Sequence, residues 1–438
     1  REYISEENYK MAEYIKKAYV KDDPKKADRD QRIDNIITSK RYGIPIMLLL
    51  LAGIFWITIQ GANVPSEILS HLLFGFQDVL TKWFEYFHAP SWLHGFLVLG
   101  LYRTLAWVVA VMLPPMAIFF PIFTLLEDLG YLPRVAFNLD HMFKKACAHG
   151  KQVLTMCMGF GCNAAGVIGC RIIESPRERL IGIITNNFVP CNGRFPLLIA
   201  ISTVFFTISS NRYINTIIPS LFVTLLVVIG IGITLLISYL LSKTLLKGVP
   251  STFTLELPPY RKPQIGRILY TSIIDRTIFV LGRAILIAAP AGAFTWLLGN
   301  IYIHDLSIIT HISNFLNPLA HMIGLDGFIL MAFILGLPAN EIVLPVLLMS
   351  YLSTGSLTDF DSIDSLGKTL AANGWTYLTA LNTMLFSLLH WPCSTTLWTI
   401  KKETGSVKWT FAAFMIPTAV AFVVCFITTT VFRLLGLD

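Results

Sequence analysis

Charged residues are scarce in this chain. They make up 14% of its 438 residues, while 54% are hydrophobic; a soluble domain carries about a quarter charged. That balance excludes a water-soluble globular domain and points to an integral membrane protein. A basic patch interleaved with aromatics is also lacking, although the net charge is +7, so the sequence does not suggest nucleic acid as a partner. The seven cysteines fall mostly within apolar segments and do not read as a disulfide framework. "LGKTL" (366–370) holds Gly-Lys-Thr, but the position five residues before Gly367 is Ser362 and no strand precedes it, which excludes a phosphate-binding loop. Neither a zinc-protease helix nor a nucleophile elbow is present, and no enzyme activity is expected of this chain. No signal peptide with a small-residue cleavage site is seen, and the chain starts at Arg1 rather than Met, as expected of a processed or truncated product.

What is present is a series of apolar runs. A helix needs about 20 apolar residues to cross a hydrocarbon layer of ~30 Å, and spans are predicted near 44–60, 95–122, 181–208, 214–245, 271–299, 374–400 and 409–436. Two further stretches, 151–173 and 326–352, are interrupted by glycine, proline and asparagine. If the amino terminus is cytoplasmic and both interrupted stretches return to the side they came from, only Lys82, Arg212, Lys368 and Arg433 lie outside. Arg103, Arg194, Arg276 and Arg283 then sit within spans, and every other Lys and Arg lies inside. Positive charge orients membrane proteins in this way, so re-entrant hairpins are expected. Residues 1–43 read as a cytoplasmic amphipathic segment, helical and broken near Pro24, and 44–438 as a transmembrane domain. Residues 61–94, with Trp83, Phe84, Tyr86, Phe87 and Trp92, read as an interfacial helix on the outer side. The acidic loop "DFDSID" (359–364) reads as an outer, solvated feature.

An internal repeat is the most informative pattern. "LYRTLAWVVAVMLPP" (101–115) matches "IIDRTIFVLGRAILIAAP" (273–290) in an Arg-Thr pair and a downstream proline. His141-Met142 and Asn163 match His321-Met322 and Asn340, and "NNFVPCNGR" (186–194) matches "LLHWPCSTT" (388–396). The predicted topology inverts the second copy relative to the first. Inverted repeats with discontinuous helices place a substrate site near the midplane, and irregular backbone is tolerated there where it lines a cavity. The expected fold is therefore an all-α polytopic transmembrane bundle with two inverted repeats, about 95–210 and 271–400. Each repeat holds a re-entrant hairpin and a broken helix.

The candidate site gathers the hairpin tips and helix breaks: Cys162, Asn163, Cys191, Asn192, Asn340, Glu341, Cys393 and Ser394. Met158, Asn186, Asn187, His390 and Thr395 are candidate path residues. Thiols, amides, a hydroxyl, a carboxylate and carbonyls freed by proline form a mixed soft and hard ligand set. Such a set suits a borderline divalent transition metal such as Fe²⁺ better than Mg²⁺ or Ca²⁺. Cys147, Cys170 and Cys425 read as small buried hydrophobes; Cys157 and Met156 fit packing, with a soft extension of the path as the alternative. Glu341 is an intramembrane carboxylate and so a functional candidate; the alternative is an ion pair with Arg194, Arg276 or Arg283. His390 reads equally as a ligand, a proton carrier or a structural histidine.

"MGFGCNAAGVIGCRIIESPRERLIGIITNNFVPCNGRFP", "GLPANEIVLPVLLMSYL" and "LLHWPCSTTLWTIKKETGSVKW" resemble the membrane domain of the FeoB ferrous iron transporters and their two gate motifs, from about residue 30 to the end. The resemblance implies transport of Fe²⁺ as substrate across the bacterial inner membrane, through a path lined by cysteines at Cys162, Cys191 and Cys393. It also implies regulation by a GTP- and Mg²⁺-binding G domain, in cis or in trans, which this chain lacks. A small FeoA-type accessory protein and homo-oligomers are implied partners beside the lipid bilayer. The gate repeats are more distantly similar to those of concentrative nucleoside transporters, a likeness of fold alone. Competing readings are a transporter of another divalent metal or of an organic solute such as a nucleoside, and an iron-binding membrane signalling protein without flux.

Overall fold

The computed structural model describes residues 11–12, 24–39, 41–206, 212–248, 260, 262–357 and 363–436. Most of the amino-terminal segment before Pro24, and the acidic loop at residues 359–362, lie outside the described residues. Among the described residues the regular structure is helical apart from one small hairpin, β1 (Tyr302–Ile303) and β2 (Leu306–Ser307). Among the described residues six helices are long and apolar enough to cross a membrane: α2 (Gly43–Tyr86), α3 (Ser91–Asp128), a run over Pro176–Phe206, one over Ile218–Lys243, one over Ile265–Asn300, and one over Val407–Leu434. The chain is a multi-pass membrane protein.

Helix α1 (Pro24–Ile37) opens on Pro24, whose fixed φ and missing N–H suit a first helical position. The predicted break near Pro24 borders residues 13–23, which lie outside the described residues. Helix α2 differs from expectation: its 44 residues make a rod of about 66 Å, twice a bilayer core. Residues 61–86 continue the first span instead of forming a separate helix. Pro65 falls inside it but frees only the carbonyl of Gly61, a local defect that apolar helices absorb.

The two halves of the molecule repeat one order of elements. In the first, α3 leads through α4 (Tyr131–Lys145) into a hairpin, α5 (Gln152–Gly161) and α6 (Asn163–Gly169). A broken helix follows, α7 (Pro176–Thr185) and α8 (Phe195–Phe206). After α9 (Arg212–Lys243), the second half runs through α10 (Ile265–Asn300) and α11 (Ile308–Met322) into the hairpin α12 (Gly327–Leu335) and α13 (Val343–Leu352). Past α14 (Ile363–Ala372) comes the broken helix α15 (Tyr377–Leu389) and α16 (Ser394–Thr404), then α17 (Val407–Leu434). The predicted span 374–400 is therefore two helices of 13 and 11 residues, each too short to cross ~30 Å alone. Helices α11 and α12 are bent by 110°. Cys162 at the first hairpin tip is extended (φ −155°, ψ 128°), as is Ala339 at the second (φ −151°, ψ 115°).

The long helices share a further repeat that the sequence did not reveal. Each has a π-helical stretch, Gly95–Tyr102 in α3 and Thr271–Ile278 in α10, at or beside its Arg-Thr pair. The two helices touch backbone to backbone at Gly292, where a Cβ would lie 2.0 Å from Thr104 Oγ1 and 2.7 Å from the Gly100 carbonyl. Small residues allow such close crossings in membranes.

Two buried arginines fasten the arrangement. Arg194, 1% exposed, is the last residue of the first helix break. It donates to the carbonyls of Asn187 (2.9 Å), Leu388 (2.8 Å), His390 (3.3 Å) and Trp391 (3.3 Å), and to Asn187 Oδ1 (3.1 Å). It thereby satisfies carbonyls that the breaks in both halves release from helical bonding. Arg134 on α4, also 1% exposed, makes a two-pronged bond to Asp34 of α1 at 3.0 and 3.1 Å and donates to the Gly130 carbonyl at 2.8 Å. Tyr260 stacks under its guanidinium at 4.1 Å and donates to Asp34 Oδ1 at 2.7 Å. Burial alone would raise the Asp34 carboxyl, but the bonds from Arg134 and Tyr260 outweigh it and hold it below its ordinary value of 3.8. Burial and the bond to Asp34 push the Tyr260 phenol up to about 12.

Replacing Arg194 with Met should leave several buried carbonyls unpaired and lower stability by about 3–5 kcal/mol. Lysine, a point charge with three donors, should recover only part of this; thermal unfolding of the two variants in detergent checks it. For Asp34 the folded pKa is depressed, so its stabilisation is present above the unfolded carboxylate value of ~3.9 and is lost as pH falls through the folded value. Asp34→Asn should cost about 1–2 kcal/mol at neutral pH and flatten the acid limb of a stability-against-pH curve.

Candidate functional site

The hairpin tips and helix breaks meet at a cavity of about 350 Å³. Both halves contribute walls. From the first come Met158, Gly161, Cys162 and Asn163 at the hairpin, and Cys191 and Gly193 at the helix break. From the second come Pro338, Ala339, Asn340 and Glu341 at the hairpin, and Cys393 and Thr395 at the break. Helix α3 adds Met112, Phe119, Phe120 and Phe123, and α10 adds Arg276, Phe279, Val280, Arg283 and Ala284.

Local chemistry explains why the backbone opens here. Val189 is extended immediately before Pro190, as the residue before a proline prefers, and Trp391 stands in the same place before Pro392. Between the breaks and the tips run polar ties. Ser394 N donates to the Leu337 carbonyl at 2.9 Å, and Ser394 Oγ to that of Pro338 at 3.3 Å. Asn186 Nδ2 reaches the Asn163 carbonyl at 3.1 Å, and Asn187 Nδ2 the His390 carbonyl at 2.5 Å. Across the halves, Trp107 Nε1 donates to the Glu341 carbonyl at 3.3 Å, and Asn340 Nδ2 lies 4.0 Å from Cys191 Sγ.

The candidate residues fall into two groups. Cys162, Asn163, Cys191, Asn340, Glu341 and Cys393, with Met158 and Thr395, line the one cavity. Asn192, Ser394, Asn186, Asn187 and His390 do not. Asn192 is engaged with the Met112 carbonyl at 3.4 Å, and Ser394 with the second hairpin. His390 is 1% exposed, is packed against Phe333 and Phe386, and places Nδ1 3.0 and 2.9 Å from the Phe386 and Ser387 carbonyls.

The arginine alternatives for Glu341 do not form. Arg194 serves carbonyls, Arg276 pairs with Glu127 at 2.9 Å, and Arg283 lies over the Phe279 ring at 4.3 Å. Among the described residues Glu341 makes no ion pair, and its carboxylate faces the cavity. Its position depends on Gly193, where a Cβ would lie 2.3 Å from Glu341 Oε1. Cys157 also lines the cavity, which favours the alternative of a soft extension of the path over packing; its place one residue before Met158, a turn below the tip, is the signal in the sequence. Cys170 and Cys425 are fully buried away from it. Among the described residues no three His, Cys, Asp or Glu side chains stand close enough to form a ready-made metal cage.

Comparison with known proteins bears on the family. Residues 109–205 match the Gate family, described as nucleoside recognition, and residues 223–275 match the family described as ferrous iron transport protein B C terminus. The chain is 31% identical over 401 residues to the Fe(2+) transporter FeoB of Staphylococcus aureus strain MSSA476, covering 90% of this chain and 58% of the relative. It is 27% identical to that of Methanocaldococcus jannaschii, covering 99% and 63%, and 25% identical to that of Campylobacter jejuni, covering 92% and 66%. It thus spans about three-fifths of the length of the curated relatives it matches. No solved structure matches it. A Gate match, a FeoB C-terminal match and similarity to FeoB transporters over 90% of the chain, on one helical bundle, are consistent with a membrane domain of the FeoB type.

Proposed function

We propose that this chain forms the membrane path of a ferrous iron transporter, taking Fe²⁺ as its substrate into the cytoplasm across a bacterial inner membrane. One observation supports this most: two repeat-related helix breaks and two hairpin tips bring Cys162, Cys191 and Cys393 together with Glu341 and Asn340 on one cavity. Soft sulfur beside a single carboxylate and an amide suits a borderline transition metal and disfavours ions that want oxygen alone. Hydrated metal entering the cavity exchanges water for these groups, and thiols give up protons as they ligate. Because the walls come from both repeats, relative movement of the hairpins remodels the ligand set. Asn163 completes the first tip. Asn192 and Ser394 act by holding the breaks, with Asn186, Asn187 and His390 behind them.

The repeats are read as inverted across the membrane, with a cytoplasmic amino terminus. Residues 1–43 join the transport domain to a G domain, in cis or in trans, and a FeoA-type protein and further copies of the chain are proposed partners. The bond from Arg134 to Asp34 joins α1 to α4, which packs on the first hairpin, and supports this reading. A second reading, an organic solute such as a nucleoside, has one feature in its favour: Phe119, Phe120, Phe123 and Phe279 wall the cavity as aromatic residues wall organic ligand sites.

Replacing Cys191 and Cys393 together with Ser should reduce Fe²⁺ flux into proteoliposomes at least roughly tenfold. Unchanged flux, or saturable uptake of labelled nucleoside instead, would count against the metal reading; metal binding without flux would favour a signalling role. Gly193→Ala should drive the Glu341 carboxylate from its place and weaken Fe²⁺ uptake by a similar factor while the protein remains folded, which uptake and unfolding measured on one preparation will show.

A further inference from the structure

The wall that α10 gives the cavity carries a charge that no carboxylate answers. Arg283 is the only charged residue between Arg276 and the end of α10 at Asn300. Its side chain is exposed and rests over the Phe279 ring at 4.3 Å. Among the described residues it makes no ion pair and no hydrogen bond. Arg276, two turns away, is engaged instead: it pairs with Glu127 at 2.9 Å and donates to Thr124 Oγ1 at 3.2 Å. An unpaired guanidinium within a membrane span is costly and calls for an anion or water.

The place is a side mouth of the cavity. Arg276, Phe279, Val280, Arg283 and Ala284 all line it, and their spacing sets them on one stripe of α10. Phe279 is also 57% exposed, so the stripe borders both the cavity and the outside of the bundle. Next to it on the outer face stand Ile274, Ile278 and Leu286, apolar and exposed, as on a surface that lipid covers. The depth suits a headgroup. Helix α3 ends at Glu127-Asp128, and the pair between Glu127 and Arg276 marks where charge begins on this side. Arg283 lies seven residues deeper, about 10 Å along the helix. Its side chain turns back one turn to Phe279, which brings the guanidinium toward the surface as snorkelling arginines do. Inside the mouth, Phe119 and Phe123 of α3 face Phe279 and Val280 across the cavity and offer apolar wall.

We propose that this side mouth binds one anionic phospholipid, its phosphate on Arg283 and an acyl chain running inward along Phe119, Phe123 and Phe279. Phosphate oxygens match the planar fork of a guanidinium, and the apolar walls suit a hydrocarbon chain better than any hydrated ion. The bound lipid closes the cavity to the bilayer beside α10 and leaves Cys162, Cys191, Cys393, Asn340 and Glu341 free at the hairpin tips. The site does not depend on the iron reading.

The test titrates the delipidated chain in detergent, without metal, with phosphatidylglycerol or phosphatidylcholine of identical chains, and counts bound lipids by native mass spectrometry. One phosphatidylglycerol should bind about fivefold or more tighter than phosphatidylcholine. Arg283→Gln should abolish that preference, Arg283→Lys should keep part of it, and Lys262→Gln with Arg267→Gln should leave it intact. Phosphatidylglycerol with brominated chains should quench the added fluorescence of Phe123→Trp, and should cease to do so when Arg283→Gln is combined with it. Equal affinity of the unaltered protein for the two lipids would overturn the proposal, and this arm stands even if a variant fails to fold. A preference that survives Arg283→Gln would overturn it too. Displacement of the lipid by inorganic phosphate at equal concentration would mean a site for the free anion. A dimer that Arg283→Gln dissociates with lipid binding unchanged would mean a second copy; either result overturns the lipid assignment.

Discussion

One guanidinium makes the broken helices of this protein tenable. A helix interrupted within a membrane exposes carbonyls that neither water nor lipid can satisfy, and there are two such interruptions here, at 186–194 and 390–393. Arg194 binds carbonyls from both. The charge that would be costly in an apolar interior is solvated by several carbonyl oxygens at once, and the oxygens gain the strong donor they need. The two breaks are thereby held together, and the two hairpins are brought tip to tip around a cavity.

The remaining architecture follows from that convergence. Hairpin helices of about ten residues reach only part-way through a bilayer, so their tips lie inside the molecule, where α3 and α10 enclose them. Those long helices approach closely at Gly100 and Gly292. Helix α1 joins the same assembly through Asp34 on Arg134, and α4 in turn packs on the first hairpin.

Much of this was legible in the sequence, because duplication leaves matched marks. The paired Pro-Cys dipeptides and matched asparagines located both breaks and both tips, and charge asymmetry argued for hairpins. Composition alone reads 374–400 as one apolar run; the Pro392-Cys393 pair is what marks the break within it, between Leu389 and Ser394. Composition likewise could not show that Pro65 fails to stop α2. The π-helical stretches leave no periodic signature in a segment that is apolar all round. At the site, six of the ligand candidates line the one cavity, while Asn192 and Ser394, indistinguishable from them by residue type, bond instead to the Met112 and Pro338 carbonyls. The role of Arg194 was hidden for the same reason, since its partners are backbone carbonyls that no side-chain pattern records.

The central claim is that the thiols of both repeats meet the transported metal in one cavity. X-ray absorption at the iron edge, on the anaerobic protein loaded with one equivalent of Fe²⁺, tests it most directly. Sulfur scatterers in the first coordination shell that disappear when Cys162, Cys191 and Cys393 are replaced with Ser are the predicted result. A shell of oxygen and nitrogen alone, unchanged by those replacements, would contradict it.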